Sequence, residues 1–208
     1  MIWIPNQDVS GRFETGLSWF ESIEDAKTEK GRLVEPGNPL EYEPFGKEMI
    51  EFAQKNWARV HSTVEKTPDC FQAFTFQDKV VSSEIAQVIE ALEPGVHQFV
   101  ECPNIWSKAG NCRVEREFLL INVSVKLKTI DVEKSPVKLV RRRNGSEYFT
   151  LSSMLSKDYV IDADYPKSCH LWRDTTVPKL AFMSDELKQR LEEVGARGFD
   201  FLPVTMPS

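Results

Sequence analysis

Val80-Val81-Ser82-Ser83-Glu84-Ile85, continued by Val88, Ile89 and Leu92 and closed by Glu93-Pro94-Gly95, packs a strand, a helix and a stop into one short run. The β-branched pair Val80-Val81 suits a strand. A hydroxyl in Ser82-Ser83 can accept from the orphan amides of a helix start. Ile85, Val88, Ile89 and Leu92 recur at helical spacing and define one apolar face. Pro94 and Gly95 end the helix, and Val96 to Val100 reads as a strand. The same grammar returns near the other end of the chain. Phe182-Met183-Ser184-Asp185-Glu186-Leu187 leads into an apolar stripe of Leu187, Leu191 and Val194, with acidic residues where the helix dipole favours them. Gly195 suits the position after the helix, and Gly198-Phe199-Asp200-Phe201-Leu202-Pro203-Val204 reads as a closing strand. Two accounts of this echo stand side by side. Serine caps and glycine stops are common helix punctuation and can converge; an internal strand-helix-strand duplication produces the same pattern. Two copies do not make a solenoid. Either account places short helices against sheets.

Working outward, Arg113 to Asp131 carries the strongest strand signal. Leu119, Ile121, Val123, Val125 and Leu127 alternate with Leu120, Asn122, Ser124, Lys126 and Lys128. Lys138 to Thr150 reads as a hairpin about Asn144-Gly145, a dipeptide that tolerates the positive φ of a type I′ turn. Lys47 to His61 has helical spacing, with Met49, Ile50, Ala53, Trp57 and Val60 on one side. Phe71 to Phe76 is an aromatic-rich extended piece. Met154 to Ile161 fits helix and strand equally. The first residues, to about Gly46, are punctuated by glycine and proline. Within them Ile2 and Ile4 suit a short strand, and Trp19 and Phe20 suit anchors onto the main body. The fold class that results is α+β, with mixed or mostly antiparallel sheets and several short helices. We read residues 1–208 as a single domain, with 1–68 an N-terminal part and 69–204 the core.

A chain of 208 residues can bury a substantial core. Its 41% hydrophobic and 28% charged residues are those of a soluble globular protein and not of a disordered one. The net charge of −6 opposes binding to phosphate backbones, so nucleic acid is not the expected partner. It suits a basic partner, and it equally serves solubility alone. Cys70, Cys102, Cys112 and Cys169 form no Cys-x-x-Cys pair and read as free thiols of a reducing compartment. The opening Met1-Ile2-Trp3-Ile4-Pro5 lacks the basic and long apolar regions of a signal peptide. No apolar run approaches membrane-spanning length. The expected location is the cytoplasm, away from membranes.

A search for chemistry finds little. Gly-x-Ser-x-Gly, His-Glu-x-x-His, Gly-x-x-x-x-Gly-Lys and Gly-x-Gly-x-x-Gly are all missing. His61, His97 and His170 are the three histidines. Cys169-His170 with Cys102 and Cys112 matches no zinc spacing, and neighbours on a strand point to opposite faces, so we expect no metal and no cofactor. Arg141-Arg142-Arg143 could grip an acidic partner, or it is a charged hairpin arm that blunts a sheet edge. Trp172-Arg173-Asp174 could be a binding patch; we read it as a buried Trp beside an Arg–Asp pair that fixes a loop. The candidate partner-binding residues are Asp162, Asp164 and Tyr165 on an acidic loop, and Glu192 and Glu193 on the outer side of the last helix. Carboxylates could enter a basic cleft while Tyr165 anchors, although solvated turn and helix surfaces carry such residues too.

Four pieces in fixed order give a resemblance. They are Val80-Val81-Ser82-Ser83-Glu84 with its helix; Phe118-Leu119-Leu120-Ile121-Asn122-Val123 running to Ile130-Asp131 and Ser135; His170-Leu171-Trp172-Arg173-Asp174; and Ser184-Asp185-Glu186-Leu187 with Gly198-Phe199-Asp200-Phe201. From Asp69 to Val204 the chain resembles a family of immunity proteins of bacterial polymorphic-toxin systems, long filed as a domain of unknown function. The resemblance implies a cytosolic antitoxin encoded beside a secreted toxin and inhibiting it stoichiometrically through surface complementarity. It implies no catalytic residue. An uncharacterised hydrolase working through scattered carboxylates and an adaptor or structural protein of a secretion apparatus are the rival readings. A deep pocket of carboxylates with perturbed pKa values favours the first rival; a repeating self-assembly surface favours the second.

Overall fold

The structure is a computed structural model, and it describes residues 1–7, 17–33, 44–62, 67–71, 79–141, 145, 147–151, 159–161, 165–177 and 180–204. The chain begins with β1 (Ile2–Gln7), β2 (Leu17–Phe20), α1 (Ile23–Thr28), α2 (Lys47–Lys55) and β3 (Trp57–Val60). It continues through β4 (Cys70–Phe71), β5 (Lys79–Ser82), α3 (Ser83–Leu92), β6 (Gln98–Glu101), β7 (Ile105–Ser107), β8 (Cys112–Arg113), β9 (Phe118–Asn122) and β10 (Lys126–Leu127). It ends with the hairpin β11 (Val137–Arg141) and β12 (Glu147–Leu151), then β13 (Leu171–Asp174), β14 (Ala181–Ser184), α4 (Asp185–Glu193) and β15 (Phe199–Val204). This is an α+β fold with mixed and antiparallel sheets.

The two echoing segments build the same object twice. One sheet has the order β4-β5-β9-β6; the other runs β13-β14-β1-β15, with β10 added in parallel beyond β13. In each, the strand before the helix and the strand after it are both antiparallel to a central strand, β9 or β1. Each helix therefore joins two parallel strands with an antiparallel one between them. The registers superpose the copies residue by residue. Ser82 lies opposite Phe118, and Ser184 lies opposite Ile2. The local hydrogen bonds repeat as well. Ser82 N–H donates to the Asp69 carbonyl at 2.8 Å, and Ser184 N–H to the His170 carbonyl at 2.9 Å. Ser83 N–H donates to the Glu117 carbonyl, and Asp185 N–H to the Met1 carbonyl. Both serines are N-caps, Ser82 Oγ accepting from Ile85 N–H and Ser184 Oγ from Leu187 N–H. Convergence on common capping residues does not account for equivalent strand order, register and backbone bonding, so the echo is a structural repeat.

Strand alternation sends the two faces of each sheet to different cores. Val81, Ile121, Leu171 and Met183 face a core shared by both repeats, which α3 fills with Ile85 and Ile89 and α4 with Leu187 and Leu191. Val80, Val100, Phe118 and Leu120 face the other way, onto Met49 and Ala53 of α2 and Ala58 and Val60 of β3. The matching face of the second sheet, Ile2, Ile4, Trp172 and Phe182, packs on Ile130, Tyr159 and Ile161. A third sheet, β2-β3-β7-β8, carries the buried anchors Trp19 and Phe20.

Several expectations change in detail. The helix from Lys47 stops at Lys55, and Trp57–Val60 is a strand between β2 and β7. Asn56 closes the last turn, its backbone N–H and its side-chain amide both donating to the Phe52 carbonyl at 3.0 Å. The run from Arg113 to Asp131 divides into the end of β8, β9 and β10, and β9 and β10 lie in different sheets. Ser124 N–H leaves the ladder for His97 Nδ1 at 3.2 Å, and Lys126–Leu127 pairs with β13 instead. The first strand is longer than read and is the centre of its repeat. The two strands of the hairpin pair as read, but Arg141 stands opposite Glu147, one residue off the register that a two-residue turn on Asn144-Gly145 sets; Gly145 has φ 84°, and residues 142–144 and 146 lie outside the described residues. Trp172 is buried and donates from Nε1 to Thr129 Oγ1 at 3.1 Å. The loop beside it is held by Asp174, whose buried carboxylate accepts the backbone N–H groups of Thr129, Ile130, Thr176 and Val177. Of the piece from Phe71 to Phe76, only Phe71 lies within the described residues.

Candidate functional site

α3 and α4 pack against each other over the shared core, and their outward sides leave a groove of about 670 Å³ between them. The repeat explains its lining. Aligning Ser82 with Ser184 pairs Val88 with Arg190, Ala91 with Glu193 and Leu92 with Val194, and all six line the groove. The α3 wall is apolar at Ile85, Val88, Ala91 and Leu92 and polar at Glu84 and Gln87; the α4 wall is charged except at Val194. Val194 stands at the C-cap of α4 and is 52% exposed, so the stripe of Leu187 and Leu191 leaves the core there.

Asp69, Glu84, Arg116 and Arg197 complete the groove. Asp69 is buried. Its carboxylate accepts Arg197 N–H at 2.6 Å and the Ser82 hydroxyl at 3.3 Å, and it pairs with Arg116 Nη2. Arg116 also donates to Glu84 Oε2 from Nε at 3.3 Å and from Nη2 at 3.0 Å, while its guanidinium lies over the Phe118 ring. Burial pushes the Glu84 carboxyl up, but hydrogen bonds from its own backbone N–H, Arg116 and Ser82 outweigh burial and hold it below the ordinary carboxylate range. Arg116 Nη1 is out of solvent and meets no hydrogen-bond acceptor. Arg190 comes within 3.9 Å of Glu193, an ion pair without a hydrogen bond.

Of the five residues singled out from sequence, the three within the described residues do not gather in one place. Glu193 lines the groove, and Glu192 beside it pairs with Lys188 at 2.7 Å. Tyr165 is half-buried and stacks on Trp172 at 5.5 Å between ring centroids, in the core on the far face of the sheet from α4. Asp162 and Asp164 lie outside the described residues. Sequence reasoning missed Arg116, Arg190 and Arg197 as site residues. The signal for Arg190 was present: laying the two echoing helices over each other sets it against Val88.

Other reactive-looking clusters serve the fold. Arg59, buried on β3, pairs with Glu29 at 2.7 Å. Hydrogen bonds from Lys108 and then Arg59 hold the Glu29 carboxyl down at about 2, tying the end of α1 to two strands. His170 shares a 2.9 Å hydrogen bond with the cap Ser184. Burial, and then the Glu93 charge, push the Cys169 thiol up, away from the thiolate a nucleophile needs. Among the described residues no group of three or more His, Cys, Asp or Glu converges in a way that could hold a metal.

A family model described as Immunity protein family (Imm11) matches residues 15–206. The match takes in most of the N-terminal part that the four motifs left aside. No curated protein matches the chain.

Proposed function

Because the chain belongs to the Imm11 immunity protein family, we propose that it binds a cognate secreted bacterial toxin and neutralises it as a stoichiometric inhibitor. Membership carries toxin immunity as the general function; the partner and the mode of inhibition are our reading. In this reading residues 1–208 act as a single immunity-type domain in the cytoplasm, and the adjacent gene encodes the toxin. The observation that carries it, beside membership, is the groove between α3 and α4, a concave surface with a half-exposed valine and arginine side chains at its edge. Aromatic and arginine anchors in such settings dominate the energetics of protein interfaces. Glu192 and Glu193 stand on the same helix as contacts for basic groups of the toxin, and the net charge of −6 speeds encounter with a basic surface.

The inhibitor reading is favoured over catalysis by the state of the acids that line the groove and of a thiol on the far face of the second sheet. Glu84 and Asp69 are committed to arginine partners, and Cys169 is held as a thiol. A general acid needs a carboxyl raised toward neutral pH, and the Glu84 carboxyl is lowered. No helix among the described residues is long and apolar enough to cross a membrane. The test is co-expression with the toxin module of the neighbouring gene. Rescue of growth, and a purified complex of fixed stoichiometry burying about 1,200–2,000 Å² in total, is the expected result. Failure of rescue with a soluble, folded protein refutes the proposal.

A further inference from the structure

We draw no further inference here: the strongest candidate, the surface patch on the β11–β12 hairpin where exposed Leu139 stands beside Lys138 and Arg141, carries nothing because Arg141 is already paired with Glu147 and nothing in the structure shows what covers the patch.

Discussion

Glu93 ends α3 with its backbone and reaches the other repeat with its side chain. Its buried carboxylate accepts the N–H groups of His170 and Leu171, both at 2.9 Å, and meets His97 Nε2 at 2.9 Å. His97 Nδ1 accepts Ser124 N–H, so the ring proton sits on Nε2 and points at Glu93. The reciprocal contact comes from Asp69, which receives Arg197 N–H and gives its own N–H to the Arg197 carbonyl. In each direction the turn after one repeat's helix is pinned to the first residues of the other repeat's outer strand. Sequence reading saw only a helix stop in Glu93, because its acceptors are supplied by residues far along the chain. Burial pushes the Glu93 carboxyl up, but hydrogen bonds from His97 and from the His170 and Leu171 amides outweigh it and hold it below the ordinary value. A carboxyl lowered in this way binds fewer protons folded than unfolded. The stability it contributes is therefore complete above its unfolded value, about 4.3, and is lost as pH falls through that value toward the folded one. Glu93→Gln is expected to lower the urea midpoint at pH 7, with the gap to the parent protein closing below about pH 4. A gap of constant size from neutral to acid pH would show that charge has no part in this contact.

At the scale of elements, α3 and α4 were legible, whereas α1 lay unread in the glycine- and proline-punctuated first stretch and the strand boundaries were not legible. Ser82 and Ser184 cap, and Gly95 and Gly195 follow their helices at the same φ of 68°, because caps and stops act through neighbouring residues that sequence displays. Trp57 and Val60 continue the spacing of Met49, Ile50 and Ala53 by coincidence, so periodicity alone could not separate α2 from β3; the Asn56 turn did. The alternation from Leu119 to Leu127 likewise hides a change of sheet at Ser124, since both sheets want the same pattern. The groove was half legible. Its charged wall was read as the outer side of a helix, but its apolar wall required knowing that α3 and α4 are neighbours. Gly195 and Gly198 separate backbone freedom from packing. Both have positive φ, but space around a Cβ at Gly195 is open, whereas at Gly198 that atom would sit 2.5 Å from Pro68 Cβ. Gly195→Ala is expected to cost about 1 kcal/mol for the left-handed backbone. Gly198→Ala is expected to cost about 3 kcal/mol, strain and overpacking together. Guanidinium denaturation of the two variants measures both, and equal losses would mean that Pro68 does not pack there.

For the molecule as a whole, the two repeats differ in where the central strand comes from. In the first, β9 follows β6 through β7 and β8; in the second, β1 arrives from the far end of the chain to lie between β14 and β15. Ile2 pairs with Val204 in antiparallel register, so the end of β15 and the start of β1 are neighbours in space. Joining the chain's two ends through a short Gly/Ser linker would make the second repeat run β13-β14-α4-β15-β1, the same sequence of strand roles as the first. New ends can be opened beside Gly145, at the turn of β11 and β12, because these two strands form a sheet of their own and pair with no other described strand. Such an exposed turn is where permutation is tolerated, and closing a short loop costs little because closure entropy grows slowly with length. The shared core, to which both repeats contribute a sheet face and a helix, is left uncut. The permuted chain is expected to fold with the parent's near-ultraviolet circular dichroism and with a stability within about 2 kcal/mol of it, since only a hairpin turn and a loop closure change. A control permutant opened between Leu120 and Ile121 cuts the central strand of the first repeat and is expected not to fold. If the first permutant also failed to fold, the order of β1 in the chain would be part of what builds the second repeat, and the equivalence of the two halves would stop at their geometry.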